Sequence, residues 1–149
     1  MEIINLFVKR TDTSMDLPLP QYMTTGAAGL DLFASIEQSV KIEPGKFKSI
    51  PTGIMVAIPE GYEAQIRPRR GLASKYGITV LNSPGTIDSD YRGEINIILI
   101  NLGDNDFIIK RGDRVAQFVI NKVQQAKLIV VDYLPDSNRG INGFGSTGV

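Results

Sequence analysis

Short apolar runs, cut off at close intervals by proline and glycine turns, govern what this chain can become. Residues 3–8 (IINLFV), 40–43, 47–58, 62–67 (YEAQIR), 95–100, 107–109, 115–120 and 128–133 (LIVVDY) are rich in β-branched and aromatic side chains. Pro44-Gly45, Pro59-Glu60-Gly61 and the polar stretches 103–106 and 110–114 separate them. In residues 62–67, Tyr62, Ala64 and Ile66 alternate with Glu63, Gln65 and Arg67, the period of a half-buried strand. No window longer than one or two turns carries a helical period, so the spacing predicts an all-β domain. Prolines in the loop 9–25 exclude helix and central strand there, and Pro51 with Gly53 predicts a bend or bulge. The one exception is residues 72–76, good for a single helical turn that Gly77 closes in the left-handed position.

The composition narrows the chemistry. A length of 149 residues suits one domain that buries its own core. Sixteen basic residues balance sixteen acidic ones, so no global field draws the chain to nucleic acid or membrane. With no cysteine and no histidine, thiol catalysis, Cys/His zinc sites and histidine-based triads are excluded, and hydrolysis would have to use a carboxylate. No signal-peptide pattern or membrane-length apolar run is present, which leads us to expect a soluble, cytoplasmic protein.

Four stretches hold the candidate chemistry. The apolar runs 77–81 and 95–100 read as the arms of a hairpin around a polar connection, in which alternation puts Thr86 and Asp88 on one face and Ile87 on the other. Its lip, with one carboxylate beside free backbone amides, could pair with a flat polar ring while Asp88 activates water; a solvated turn is the equal alternative. Arg67, Arg69, Arg70 and Gly71 precede the helical turn, either as a phosphate seat or as a solvated basic turn. Asp31, between Leu30 and Leu32, reads in isolation as an exposed outer-face residue of a strand. The glycine-rich end, 139–149, is mobile by composition, yet Arg139 and Phe144 among amides and hydroxyls supply an arginine for phosphate and a ring for stacking.

Five segments, AAGLDLFA (27–34), PRRGLA (68–73), NSPGTIDSDYRGE (82–94), GDRVAQ (112–117) and RGINGFGSTG (139–148), together closely resemble the five motifs of the trimeric deoxyuridine triphosphatases, the dUTPases. The resemblance spans almost the whole chain. It implies a jelly-roll-like β-barrel (a β-clip) over residues 1–135, with 136–149 as a tail that closes the active site. It also implies a homotrimer with sites at subunit interfaces, hydrolysing dUTP to dUMP and pyrophosphate with Mg2+ and so limiting uracil in DNA and feeding thymidylate synthesis.

On this resemblance Asp88 is the catalytic carboxylate that deprotonates the attacking water. Asn82, with backbone near Thr86 and Ile87, reads the uracil edge; Tyr91 lies under the deoxyribose, and Asn96 joins the substrate-binding set. Arg69, Gly71 and Gln117 hold the triphosphate, and Asp31 meets the metal through water. Phe144 stacks on uracil while Arg139, Gly145, Ser146 and Thr147 close over the γ-phosphate. The family's second motif reads Pro-Arg-Ser-Gly-Leu-Ala, whereas here Arg70 stands in the place of the serine that supports the leaving oxygen. Arg70 is therefore read as both catalytic and substrate-binding. The alternative is a dUTP-binding regulatory protein of the same fold, impaired in turnover. Deamination of dCTP on a related fold is opposed by the uracil-reading segment and by GFGSTG.

Overall fold

The structure, a computed structural model, describes residues 3–146. In chain order its elements are β1 (Phe7–Arg10), β2 (Gln21–Tyr22), β3 (Leu30–Phe33), β4 (Val40–Ile42), β5 (Phe47–Ala57), β6 (Tyr62–Arg67), α1 (Arg70–Tyr76), β7 (Ile78–Val80), β8 (Gly85–Ile87), β9 (Glu94–Asn101), β10 (Phe107–Ile109) and β11 (Arg114–Lys122). A 3-10 turn, Asp12–Ser14, follows β1. The strands form three antiparallel sheets, ordered β1-β5-β9-β7, β10-β4 and β2-β3-β11-β6-β8.

Alternation builds the core from all three sheets. On β9, Ile95, Ile97 and Leu99 point inward while Asn96 and Ile98 face outward. They meet Ile50 and Val56 of β5, Ile66 of β6, Phe118 of β11 and Ile42 and Ile109 of the small sheet in one continuous cluster. Asn101 continues the inward series and is fully buried without penalty. Its Nδ2 donates to the carbonyls of Ile42 (2.9 Å) and Asn105 (2.8 Å), and its Oδ1 accepts from the Gly103 amide (2.9 Å).

The expected bend in β5 is a register break between Pro51 and Met55 against β9. The helical turn begins two residues earlier than predicted, and Gly77 ends it with φ 69° and its amide bonded to Ala73. Any side chain at residue 77 would strike the Gly103 backbone 2.5 Å away. Away from these sheets Arg111 ties three segments together. It donates to the carbonyls of Thr13 (2.6 Å) and Ile36 (3.2 Å) and to the Asp16 carboxylate (2.6 Å). That bond holds the Asp16 carboxyl below its ordinary range and raises Arg111 in turn.

Two expectations fail. The hairpin arms do pair, β7 with β9, but their connection crosses into the other sheet, where β8 pairs with β6. More visibly, residues 128–133 form no strand: no helix or strand is assigned beyond Lys122 among the described residues, and Leu128, Ile129 and Val130 lie in solvent. A β-rich run needs an unpaired edge to join, and these residues reach none within one chain. No helix among the described residues is long and apolar enough to cross a membrane.

Candidate active site

Segment 82–88 separates two concave regions. On one side a narrow slot of about 210 Å3 has Ile66, Val80, Ile95 and Ile97 among its apolar lining and Asn82, Thr86, Asp88, Tyr91, Glu94 and Asn96 around them. Alternation decides this: Gly85 and Ile87 are buried while Thr86 and Asp88 are exposed, so Ile87 closes the slot inward and the Asp88 carboxylate stands at its rim. Gly85 sits close enough to β6 that a Cβ would lie 3.1 Å from Ile66 and 3.3 Å from the Asn82 amide nitrogen. The Tyr91 amide donates to the Asp88 carbonyl (3.2 Å), closing the turn that carries both side chains.

On the other side a broad open basin of about 820 Å3 is lined by Arg67, Arg69, Arg70, Gly71, Ser83 and Gln117 among others. Sheet register explains this gathering. Gln117 of β11 stands between Asp31 of β3 and Arg67 of β6, directly opposite each, so the three share one face. Gln65 accepts from Arg67 through Nε (3.1 Å) and Nη2 (2.8 Å). Arg70 opens α1 and makes no side-chain hydrogen bond or ion pair with the described residues; it is the unengaged cation of the basin.

Asp31 is buried, at 3% exposure, which overturns the outer-face reading. Its Oδ2 accepts from Arg114 Nη1 at 3.1 Å and its Oδ1 lies 3.7 Å from Arg69 Nε. Arg69 also donates to the Arg114 carbonyl (3.1 Å). A carboxylate inside a sheet is tolerable because two guanidiniums meet it.

One chain therefore assembles two groups of predicted residues. Asn82, Thr86, Ile87, Asp88, Tyr91 and Asn96 line the slot; Arg69, Arg70, Gly71 and Gln117 line the basin. The remaining predicted residues of the tail stay apart from both. Arg139, Phe144, Gly145 and Ser146 bear on neither cavity; the Arg139 Nε bonds within the tail to the Asn142 carbonyl (2.8 Å), and Phe144 is fully exposed. Thr147 lies outside the described residues. Sequence reasoning missed Arg114, because the register shift after it breaks the alternation that would have aimed it. Ser83 was missed as well; its hydroxyl donates to the Val80 carbonyl and it faces the basin.

Fold and geometry define a class: an all-β barrel with a carboxylate-rimmed slot sized for a flat ring, backed by an arginine basin suited to a polyanion. The dUTPase family model matches residues 15–148, and the chain belongs to the dUTPase family. It is 58% identical over 146 residues to the deoxyuridine 5'-triphosphate nucleotidohydrolase of Caldanaerobacter subterraneus subsp. tengcongensis, covering 98% of this chain and 99% of that protein. The enzyme of the same name from Thermoanaerobacter sp. (strain X514) is 54% identical, with both chains fully covered. Among solved structures, a Staphylococcus bacteriophage 80alpha dUTPase variant with dUpNHpp matches at TM-score 0.83 and 28% identity, covering 97% of this chain and 99% of that one.

Proposed function

We propose that this chain hydrolyses dUTP to dUMP and pyrophosphate, with water attacking the α-phosphorus. The observation that carries the reading is the Asp88 carboxylate, exposed at the rim of a slot whose other carboxylate, Glu94, is tied to the Gly53 amide and whose remaining polar side chains are amides, a hydroxyl and a phenol. In that setting Asp88 orients a water and takes its proton as the oxygen bonds phosphorus. The bridging oxygen then departs with the pyrophosphate. Asn82 and the backbone at Thr86 and Ile87 read the uracil edge; cytosine reverses that donor and acceptor pattern and would leave buried groups unpaired. Tyr91 lies against the sugar. Arg69, Gly71 and Gln117 receive the phosphates, with Arg114 steadying Asp31 and Arg69 beneath them.

Mg2+ suits this site when held indirectly. Among the described residues no three acidic side chains converge to cage a cation. Asp31 has both oxygens turned to arginines, which fits a hydrated ion arriving on phosphate oxygens. When bound, that ion neutralises phosphate charge.

What one chain leaves undone supports a homotrimer with shared sites. Slot and basin lie on opposite sides of segment 82–88, the tail touches neither, and the apolar residues 128–130 are exposed. The tail, taken from residue 136 onward, would close over a neighbouring site. Mixing inactive Asp88→Asn and Arg69→Ala subunits should then restore activity, because one composite site keeps both intact residues.

A second reading rests on Arg70. In the serine's position it presents a long cation to the basin, and a chain that binds dUTP but turns it over slowly fits that exchange. Pyrophosphate release from dUTP, UTP, dCTP and dTTP, with and without Mg2+, separates the readings. Release confined to dUTP supports hydrolysis, calorimetric binding of dUTP without release supports the second reading, and neither result sinks both.

A further inference from the structure

We infer that Glu94, held by the β5 bulge at Gly53, is a positioning residue that fixes the Tyr91 ring and so sets the preference for deoxyribose over ribose. The inference rests on the proposed reading of the slot.

The bulge is built for this contact. Pro51 pairs with Asn96 and Met55 with Glu94, so three β5 residues stand opposite Ile95 alone. Gly53 takes φ 70°, and a Cβ there would come within 2.2 Å of the Ser14 Cβ and 2.8 Å of the Ser35 hydroxyl. Its carbonyl is anchored outward, accepting from the Thr11 amide (2.8 Å) and the Ser14 hydroxyl (2.6 Å). Its amide turns the other way and donates to Glu94 Oε1 at 2.8 Å. Thr52 reinforces the seam by donating to the Ile95 carbonyl at 2.6 Å.

Glu94 passes that anchorage into the slot. With its side chain fastened, its carbonyl direction is set, and that carbonyl accepts from the Tyr91 hydroxyl (3.0 Å) and from Asn96 Nδ2 (3.2 Å). Tyr91 is thereby held at both ends, its amide on the Asp88 carbonyl and its phenol tip on Glu94. Gly93 makes room for the fold-back, since a Cβ there would lie 2.3 Å from the phenol oxygen. A pinned ring presents a fixed wall to the sugar, whereas a ring free to swing about its χ1 opens space for a 2'-hydroxyl. Glu94 thus acts on selectivity through Tyr91, without touching the reacting atoms.

The test measures dUMP and UMP binding to the full-length chain by calorimetry, with circular dichroism to verify folding. Wild type is expected to favour dUMP. Glu94→Ala should cut the dUMP:UMP affinity ratio by about tenfold, the scale of one lost hydrogen bond. Glu94→Gln keeps an oxygen for the Gly53 amide and should hold the ratio within about twofold. Tyr91→Phe should lower the ratio as Glu94→Ala does, and the double variant should add little, because both break one linkage. If Glu94→Ala does not fold, Glu94→Asp, one methylene too short to reach Gly53, takes its place with the same expected loss. A wild type that shows no sugar preference sinks the reading of the slot. A wild-type preference that survives intact in the Glu94 or Tyr91→Phe variants overturns the positioning role alone.

Discussion

Arg114 reaches from β11 to the buried Asp31 of β3, its Nη1 donating to Oδ2 at 3.1 Å while Arg69 approaches the other oxygen at 3.7 Å. The Asp31 side chain is 5% exposed against 40% for Arg114. The carboxylate is therefore the member that cannot turn to water, and the arginines are held where it holds them. Removing it as Asp31→Ala should cost about 1–3 kcal/mol, because the arginines regain part of their hydration. It should also weaken pyrophosphate binding as Arg69 loses its direction. Denaturant melts and pyrophosphate titrations read the two effects; unchanged pyrophosphate affinity would separate Asp31 from the basin.

Asp88 stands exposed at the slot rim and contributes little to the core. Asp88→Asn keeps the size and removes the proton acceptor. Turnover of dUTP should fall by about 10²- to 10⁴-fold with dUMP affinity nearly unchanged. A variant that retains its turnover would assign the base to another group.

Arg70 has no side-chain partner among the described residues, so Arg70→Ser should fold as well as wild type. If the family serine supports the leaving oxygen, its return should raise kcat by about 10²- to 10³-fold, or roughly 2.7–4 kcal/mol. Steady-state kinetics give the answer; an unchanged or lower kcat means that Arg70 itself supplies the donor.

Stability in acid should carry a signature of Asp16. Arg111 lowers its carboxyl from the ordinary 3.8, so in the folded protein it stays charged to lower pH than in the unfolded chain. A depressed folded value contributes stability above the unfolded one and loses it as the pH falls through the folded one. Wild type should therefore melt slightly above Asp16→Asn at neutral pH, with the gap closing below pH 3.8. Salt should narrow it as well, since the pair faces solvent. Thermal melts from pH 7 to pH 2.5 test it.

Local rules reached far into this molecule. The alternation of YEAQIR and of residues 95–100, the turn at Pro44-Gly45 and the left-handed cap at Gly77 are visible in order along the chain, because each depends on a few neighbouring residues. The exposed side of Asp88 and the buried side of Ile87 follow from the same rule. Residues 128–133 obeyed that propensity on paper and still form no strand, since strand formation needs an edge that local sequence does not specify.

By itself, then, the sequence determined an all-β chain, its helical turn and the absence of thiol and histidine chemistry, all of which follow from side-chain periodicity and residue type. Only the tertiary structure decided that Asp31 is buried between Arg69 and Arg114, that β8 leaves its hairpin for the other sheet, and that Gly53 grips Glu94. Those relations join residues 19 to 83 positions apart in the chain. A charge's environment and a bulge's partner are set by which strands lie side by side, and that is a property of the closed barrel rather than of any short segment.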